Sequence, residues 1–187
     1  MSTAVRILGV CGSLREKSYN MYALKAAREL MPEGMRLEIT SIADIPSFNQ
    51  DVCDKGFPPP VAAFRAQIAQ ADGLLFASPE YNYSVSGVLK NAIDWASRPP
   101  AQPFQNKPVA MFSATTGIKG GVSGQYDLRK ILAQLGTFAM VRPEVFIGME
   151  ASKFDAGGKL TDDTTRKFMT DQMIAFREWI ARVKKMS

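Results

Sequence analysis

Cys11, Arg15, Lys17 and Ser18 stand together in ILGVCGSLREKSYN, Ile7 to Asn20, where an apolar run gives way to a polar loop. A thiol, cationic side chains and hydroxyls in that order suit a phosphate. It could belong to a nucleotide being hydrolysed, to a phosphoester attacked by the thiol, or to a cofactor that is simply held. The first use is poorly matched. A Walker A loop reads G-x-x-x-x-G-K-[ST]; Lys17-Ser18 supplies its end, but Cys11 and Glu16 stand where its glycines belong. The pyrophosphate fingerprint G-x-G-x-x-G fails too, because Gly9 is followed two positions on by Cys11.

Attack by Cys11 comes closer to a known pattern. Low-molecular-weight tyrosine phosphatases carry C-x-x-x-x-x-R-S after a first strand, which Cys11 with Lys17-Ser18 resembles. Lysine, however, lacks the guanidinium fork that grips a phosphoryl group, and no Asp-Pro pair is present to act as that family's general acid. Histidine is absent from the whole chain, which removes Cys-His and Ser-His-Asp nucleophiles and His metal ligands, and no metal site is expected. Cys11 reads better as a small buried residue at a strand end. A phosphate held without being attacked needs less: backbone N–H groups at a helix start, hydroxyls of Ser13 and Ser18, the Asn20 amide and the Arg15 charge. Hydroxyls in place of several glycines suit a terminal monophosphate such as that of FMN. Ser18 and Asn20 would serve equally well as helix caps.

The elements that must position this loop follow from the apolar pattern. Val5 to Val10 is a strand-like run, and Leu24, Ala27, Leu30 and Met31 recur at helical spacing until Pro32 and Gly34. Met35 to Thr40 predicts a second strand, GLLFAS a third and PVAMFS a fourth, while TFAMV and VFIG around Pro143 compete to be the fifth. Helical spacing recurs with Val61, Phe64 and Ile68, in GVLKNAIDWAS and YDLRKILAQLG, and from about Asp162 to Val183. Alternating strands and helices, with strands that are continuous apolar runs, predict one α/β domain over residues 1–187. The expected architecture is a three-layer sandwich around a five-stranded parallel sheet of order 2-1-3-4-5. Ligands in such sheets bind beyond the carboxyl ends of the strands. The loops there, CGSLREKSYN, SPEYNYSVSG and SATTGIKGGVSG, hold most of the clustered Ser, Thr, Asn and Gly.

Composition narrows the partners. A formal charge of +5 favours anions, but Lys and Arg are scattered and do not interleave with aromatics as on a nucleic-acid surface. No window approaches the ~20 apolar residues of a membrane span, and no secretory signal pattern opens the chain. Two cysteines without redox or metal spacing fit a reducing cytoplasm.

The second loop is the most specific. SPEYNYSVSGVLKNAIDWASR, Ser78 to Arg98, taken with GSLREKSYN and SATTGIKGG, closely resembles the NADPH-dependent FMN reductase family, which contains bacterial quinone, chromate and azo-dye reductases. The likeness runs in order from Ile7 to at least Leu135. It implies a flavodoxin-like fold that binds FMN, with NADPH or NADH as co-substrate and hydride transfer on the flavin rather than a catalytic side chain. Around the FMN phosphate it implies Ser13, Arg15, Ser18, Tyr19 and Asn20. Along the flavin ring it implies Pro79, Glu80, Tyr81, Asn82 and Tyr83, and on the other side Ser113, Thr115, Thr116 and Gly117. Acceptors would be quinones or other small molecules, with chromate and azo compounds second. The family usually forms homodimers or homotetramers, so LKNAIDWASR reads as an interface helix, with Trp95 and Tyr83 as the residues that distinguish interface from core. One departure is Ser86, where relatives commonly have Pro; a freer turn is expected there. A flavodoxin-type electron carrier is the alternative, and such carriers are generally acidic.

Overall fold

Aliphatic runs set the centre of the molecule. In the computed structural model, which describes residues 4–186, β1 (Val5–Cys11) is buried from Ile7 onward, and β3 (Gly73–Ala77) and β6 (Pro108–Ala114) are buried throughout. Runs without polar alternation belong to strands covered on both faces. β2 (Met35–Thr40) pairs with β1, β1 with β3 and β3 with β6, all in parallel. The expected order is therefore present, with one change at the edge. Both segments around Pro143 are strands: β7 (Phe138–Ala139) pairs with the start of β6 and β8 (Val145–Ile147) with its end. They share the fifth position as a broken strand, because Pro143 has no N–H to give to the ladder.

Period-two alternation divides the strand side chains between two helical layers. Leu75, Ala77, Ala110, Phe112 and Ala114 face α1 (Tyr19–Glu29) and α6 (Asp163–Met186). Leu74, Phe76, Val109 and Met111 face α3 (Pro59–Gln70), α4 (Gly87–Ala96) and α5 (Val122–Gln134). A short helix, α2 (Gln50–Cys53), lies in the Pro-rich connection before α3. The three polar loops thus leave the carboxyl ends of the three central strands side by side.

The apolar side of α4 faces the core. Trp95 is 0 % exposed, its Nε1 donates to Pro46 O at 2.8 Å, and its ring meets Phe48 with centroids 5.0 Å apart. Tyr83, by contrast, is 72 % exposed. Full burial of Trp95 leaves its ring no surface to present to another subunit.

Candidate functional site

The first loop, Gly12–Lys17, leaves β1 and enters α1, whose N-cap is Ser18: its hydroxyl accepts from Met21 N at 3.4 Å. The first turn of α1 contains no acidic residue, so its N–H groups and dipole keep their attraction for an anion. Arg15 is exposed and Ser13 half-buried. Asn20 is buried and turned to the framework: Nδ2 donates to Ala114 O at 2.9 Å and Oδ1 accepts from Ala114 N at 3.0 Å. This amide ties the start of α1 to the end of β6. Cys11 lies beneath the loop with Sγ 3.5 Å from Ser13 O, and burial pushes its thiol pKa up. A nucleophilic thiol needs the opposite shift.

The second loop contains an element that sequence periodicity does not reveal. β4 (Glu80–Tyr81) and β5 (Ser84–Val85) form a two-residue hairpin whose turn residues, Asn82 and Tyr83, have φ of 51° and 64°. Two positive φ values define the turn type whose twist suits a tight hairpin. The hairpin is fastened to α5 at two points. Glu80 Oε2 accepts from Gly124 N at 2.8 Å, and Ser84 Oγ donates to Asp127 Oδ2 at 2.6 Å. Hydrogen bonds from Ser84 and Lys130 hold the Asp127 carboxyl pKa down. Ser86 corrects the expectation of a freer turn. It is fully buried, caps α4 by accepting from Leu89 N at 3.4 Å, and donates to Gly12 O at 2.6 Å. A hydroxyl does by hydrogen bonding what a proline would do by ring closure, and also joins the second loop to the first.

The third loop is packed rather than merely flexible. Gly120 and Gly121 have φ of 64° and 86°, and a Cβ on Gly120 would stand 2.7 Å from the Phe146 carbonyl carbon. Ser113 is buried, donating to Gly120 O and accepting from Gln125 Nε2 at 2.8 Å. It shapes the loop from behind. Thr115 and Thr116 lie nearer the surface, and Lys119 is exposed.

These loops enclose a pocket of about 110 Å³ lined by Ser13, Arg15, Ser18, Tyr19, Asn20, Pro79, Glu80, Tyr81, Ala114, Thr115, Thr116 and Glu150. Asn82, Tyr83, Ser113 and Gly117 are outside that lining: the first two form the exposed hairpin tip, Ser113 is internal and Gly117 is exposed farther along the third loop. Ligand pockets usually measure ~300–1,000 Å³, so this one fits an end of a cofactor rather than the whole. Glu150 escaped the sequence reading. It opens a 3-10 turn, Glu150–Ser152, after β8, and its N–H donates to Thr115 O at 3.3 Å. The available signal was positional: an acid just past the carboxyl end of the fifth strand, where ligands of such sheets gather.

The family model for NADPH-dependent FMN reductases matches residues 5–152. The chain belongs to that family. Among FMN reductase relatives, an NAD(P)H-dependent FMN reductase of Pseudomonas aeruginosa is 50 % identical over 184 residues, covering 98 % of this chain and 100 % of the relative. A quinone reductase of Escherichia coli is 43 % identical over 187 residues, with 98 % and 100 % covered. The solved structure of FerB, a flavoenzyme NAD(P)H:acceptor oxidoreductase from Paracoccus denitrificans, superposes with a TM-score of 0.88 at 33 % identity, covering 96 % of this chain and 98 % of that one. No helix among the described residues is long and apolar enough to cross a membrane.

Proposed function

We propose that this chain is an FMN-dependent NAD(P)H oxidoreductase that passes a hydride from NADPH or NADH to bound FMN and on to quinones or other small acceptors. Chromate and azo compounds are secondary acceptors. The observation that carries the reading is the convergence of three loops, from the ends of β1, β3 and β6, on one pocket whose lining carries the family's motif residues.

The residues fit a phosphomonoester end. The α1 N-terminus is free of acids, Arg15 supplies charge and Ser13 a hydroxyl, and a buried oxygen of Glu150 lacks a hydrogen-bond partner among the described residues. When bound, FMN supplies the electron chemistry at its N5, so no histidine is required. In this assignment Ser13, Arg15, Ser18 and Tyr19 hold the phosphate, while Asn20 fixes the wall behind it. Pro79 to Tyr83 offer backbone groups and aromatic surface to the ring, opposite Thr115, Thr116 and Gly117. The links from Glu80 to Gly124 and Ser84 to Asp127 keep that surface in place before the ligand arrives. The α5 N-terminus is already met by the Glu80 carboxylate, so the positive charge on this side of the site is that of Lys119, exposed on the third loop.

The protein acts as a single cytoplasmic domain assembled into a homodimer or homotetramer. Exposed Tyr81, Tyr83, Ile118 and Tyr126, on the hairpin, the third loop and the start of α5, support an association surface beside the pocket.

The test is a visible spectrum of purified protein with added FMN, then anaerobic NADPH, then a quinone. Bands that bleach with NADPH and return with quinone are expected. Bound flavin that NADPH leaves oxidised would instead mark an electron carrier, a role the charge of +5 disfavours. Cys11→Ser should retain most of the turnover.

A further inference from the structure

Glu150 brings an acid to the wall of a pocket otherwise suited to an anion. Its side chain belongs to a residue only 4 % exposed, and Oε2 is sealed from solvent with no hydrogen-bond partner among the described residues. Its own backbone N–H and, more weakly, the charge of Arg15 from the first loop favour its ionised form. Tyr19 from α1 and Glu80 and Tyr81 from the hairpin line the same pocket, while Ala114 to Thr116 contribute no ionisable side chain. On the same turn, Lys153 is engaged with Asp162 at 3.1 Å. An incoming phosphate would draw on the same Arg15 charge.

A phosphomonoester is a dianion above about pH 6. In a pocket of about 110 Å³, it and an ionised Glu150 would repel while competing for one guanidinium. We propose that Glu150 is the neutral acid in the FMN complex, donating a hydrogen bond to a cofactor oxygen, so that each FMN bound takes up one proton from solvent. The inference rests on the FMN reading above and adds to it a proton linkage. Burial already pushes the Glu150 carboxyl pKa up against the pull of its own backbone N–H and of Arg15, and a phosphate that engages Arg15 weakens the second of these. The proton balances simply: carboxylate plus one solvent proton gives the acid, and no electron moves.

The experiment titrates apoprotein with FMN by fluorescence quenching between about pH 7 and pH 8.5, where the phosphate's own titration is complete. Proton uptake is followed in weak buffer. The wild-type Kd should rise with pH, by up to about tenfold per unit for one linked proton. Glu150→Gln should bind with a flat profile, more tightly than wild type at the alkaline end, and without the proton uptake. Burial pushes the Cys11 thiol pKa up, away from this range, and the comparison of the two profiles isolates the Glu150 carboxyl. Parallel wild-type and Glu150→Gln profiles would overturn the inference. So would weaker binding of Glu150→Gln at every pH, which would mean an ionised carboxylate accepting from the cofactor. Wild-type protein that binds no FMN at any pH would overturn the FMN reading itself.

Discussion

Asn20 and Ser18, at the end of the first loop, are buried and turned inward, to Ala114 and the start of α1, whereas Tyr81, Asn82 and Tyr83 in the hairpin stand exposed. Both regions border one pocket, and both carry motif residues. Their polar groups nonetheless do different work. On the proposed assignment the first loop builds part of the wall with Asn20 and leaves Ser13, Arg15, Ser18, Tyr19 and backbone N–H groups to meet an anion. In the hairpin the wall is made by Glu80 and Ser84, and the tip is left for contact. Substitutions in the first region should therefore lower stability and FMN affinity together, and substitutions at the tip should separate them.

Asn20→Ala should have the largest effect. It removes two hydrogen bonds of 2.9 and 3.0 Å and leaves the buried N–H and C=O of Ala114 unpaired. At ~1–3 kcal/mol per buried unsatisfied group, a loss of about 3 kcal/mol is expected, read by urea unfolding of apoprotein. Asn20→Asp sharpens the point. It still accepts from Ala114 N but sets a buried carboxylate oxygen against Ala114 O, so it should be no more stable than Asn20→Ala, and its charge should weaken FMN binding further. Recovery of affinity with Asp would show that Asn20 is not part of the anion's wall.

Ser86→Ala comes next, at about 1.5 kcal/mol, because it deletes both the α4 cap and the donor to Gly12 O. Since Ser86 joins the two loops, its loss should also weaken FMN binding. An unfolding midpoint unchanged from wild type would mean the loops are held independently. Glu80→Ala should cost about 1 kcal/mol through the lost acceptor at the α5 N-terminus, and Glu80→Gln, which keeps a carbonyl oxygen, should restore most of it.

The same contrast explains what could be read from the sequence. Strands β1, β3 and β6 are buried on both faces, which leaves an unbroken apolar run in the chain, and Met35 to Thr40 matches β2 to the residue. The fifth strand was ambiguous because Pro143 splits it. Residue type revealed that Asn20 and Ser113 make hydrogen bonds, but not in which direction. The partner of Asn20 lies 94 positions away, and the inward turn of Ser113 depends on Gly120 folding back. The hairpin strands are two residues each and partly polar, too short for any periodicity to register. Glu150 carried no pattern of its own; only its place after β8 marked it as a pocket residue.

The smallest effect is also the most discriminating. Tyr83 holds φ of 64° without being glycine while its side chain is 72 % exposed, so its backbone strain is not offset by burial within the chain. Asn-Gly is the pair this turn prefers. Tyr83→Gly should therefore stabilise apoprotein by about 0.5 kcal/mol, the relief of strain being partly cancelled by the greater freedom of glycine when unfolded. Quinone turnover should fall at the same time through a raised KM, because an aromatic surface beside the ring has gone. Stability and activity moving in opposite directions would establish the tip as contact rather than framework. A loss of stability that appears only at protein concentrations where the chain self-associates would instead assign the Tyr83 ring to the surface between subunits.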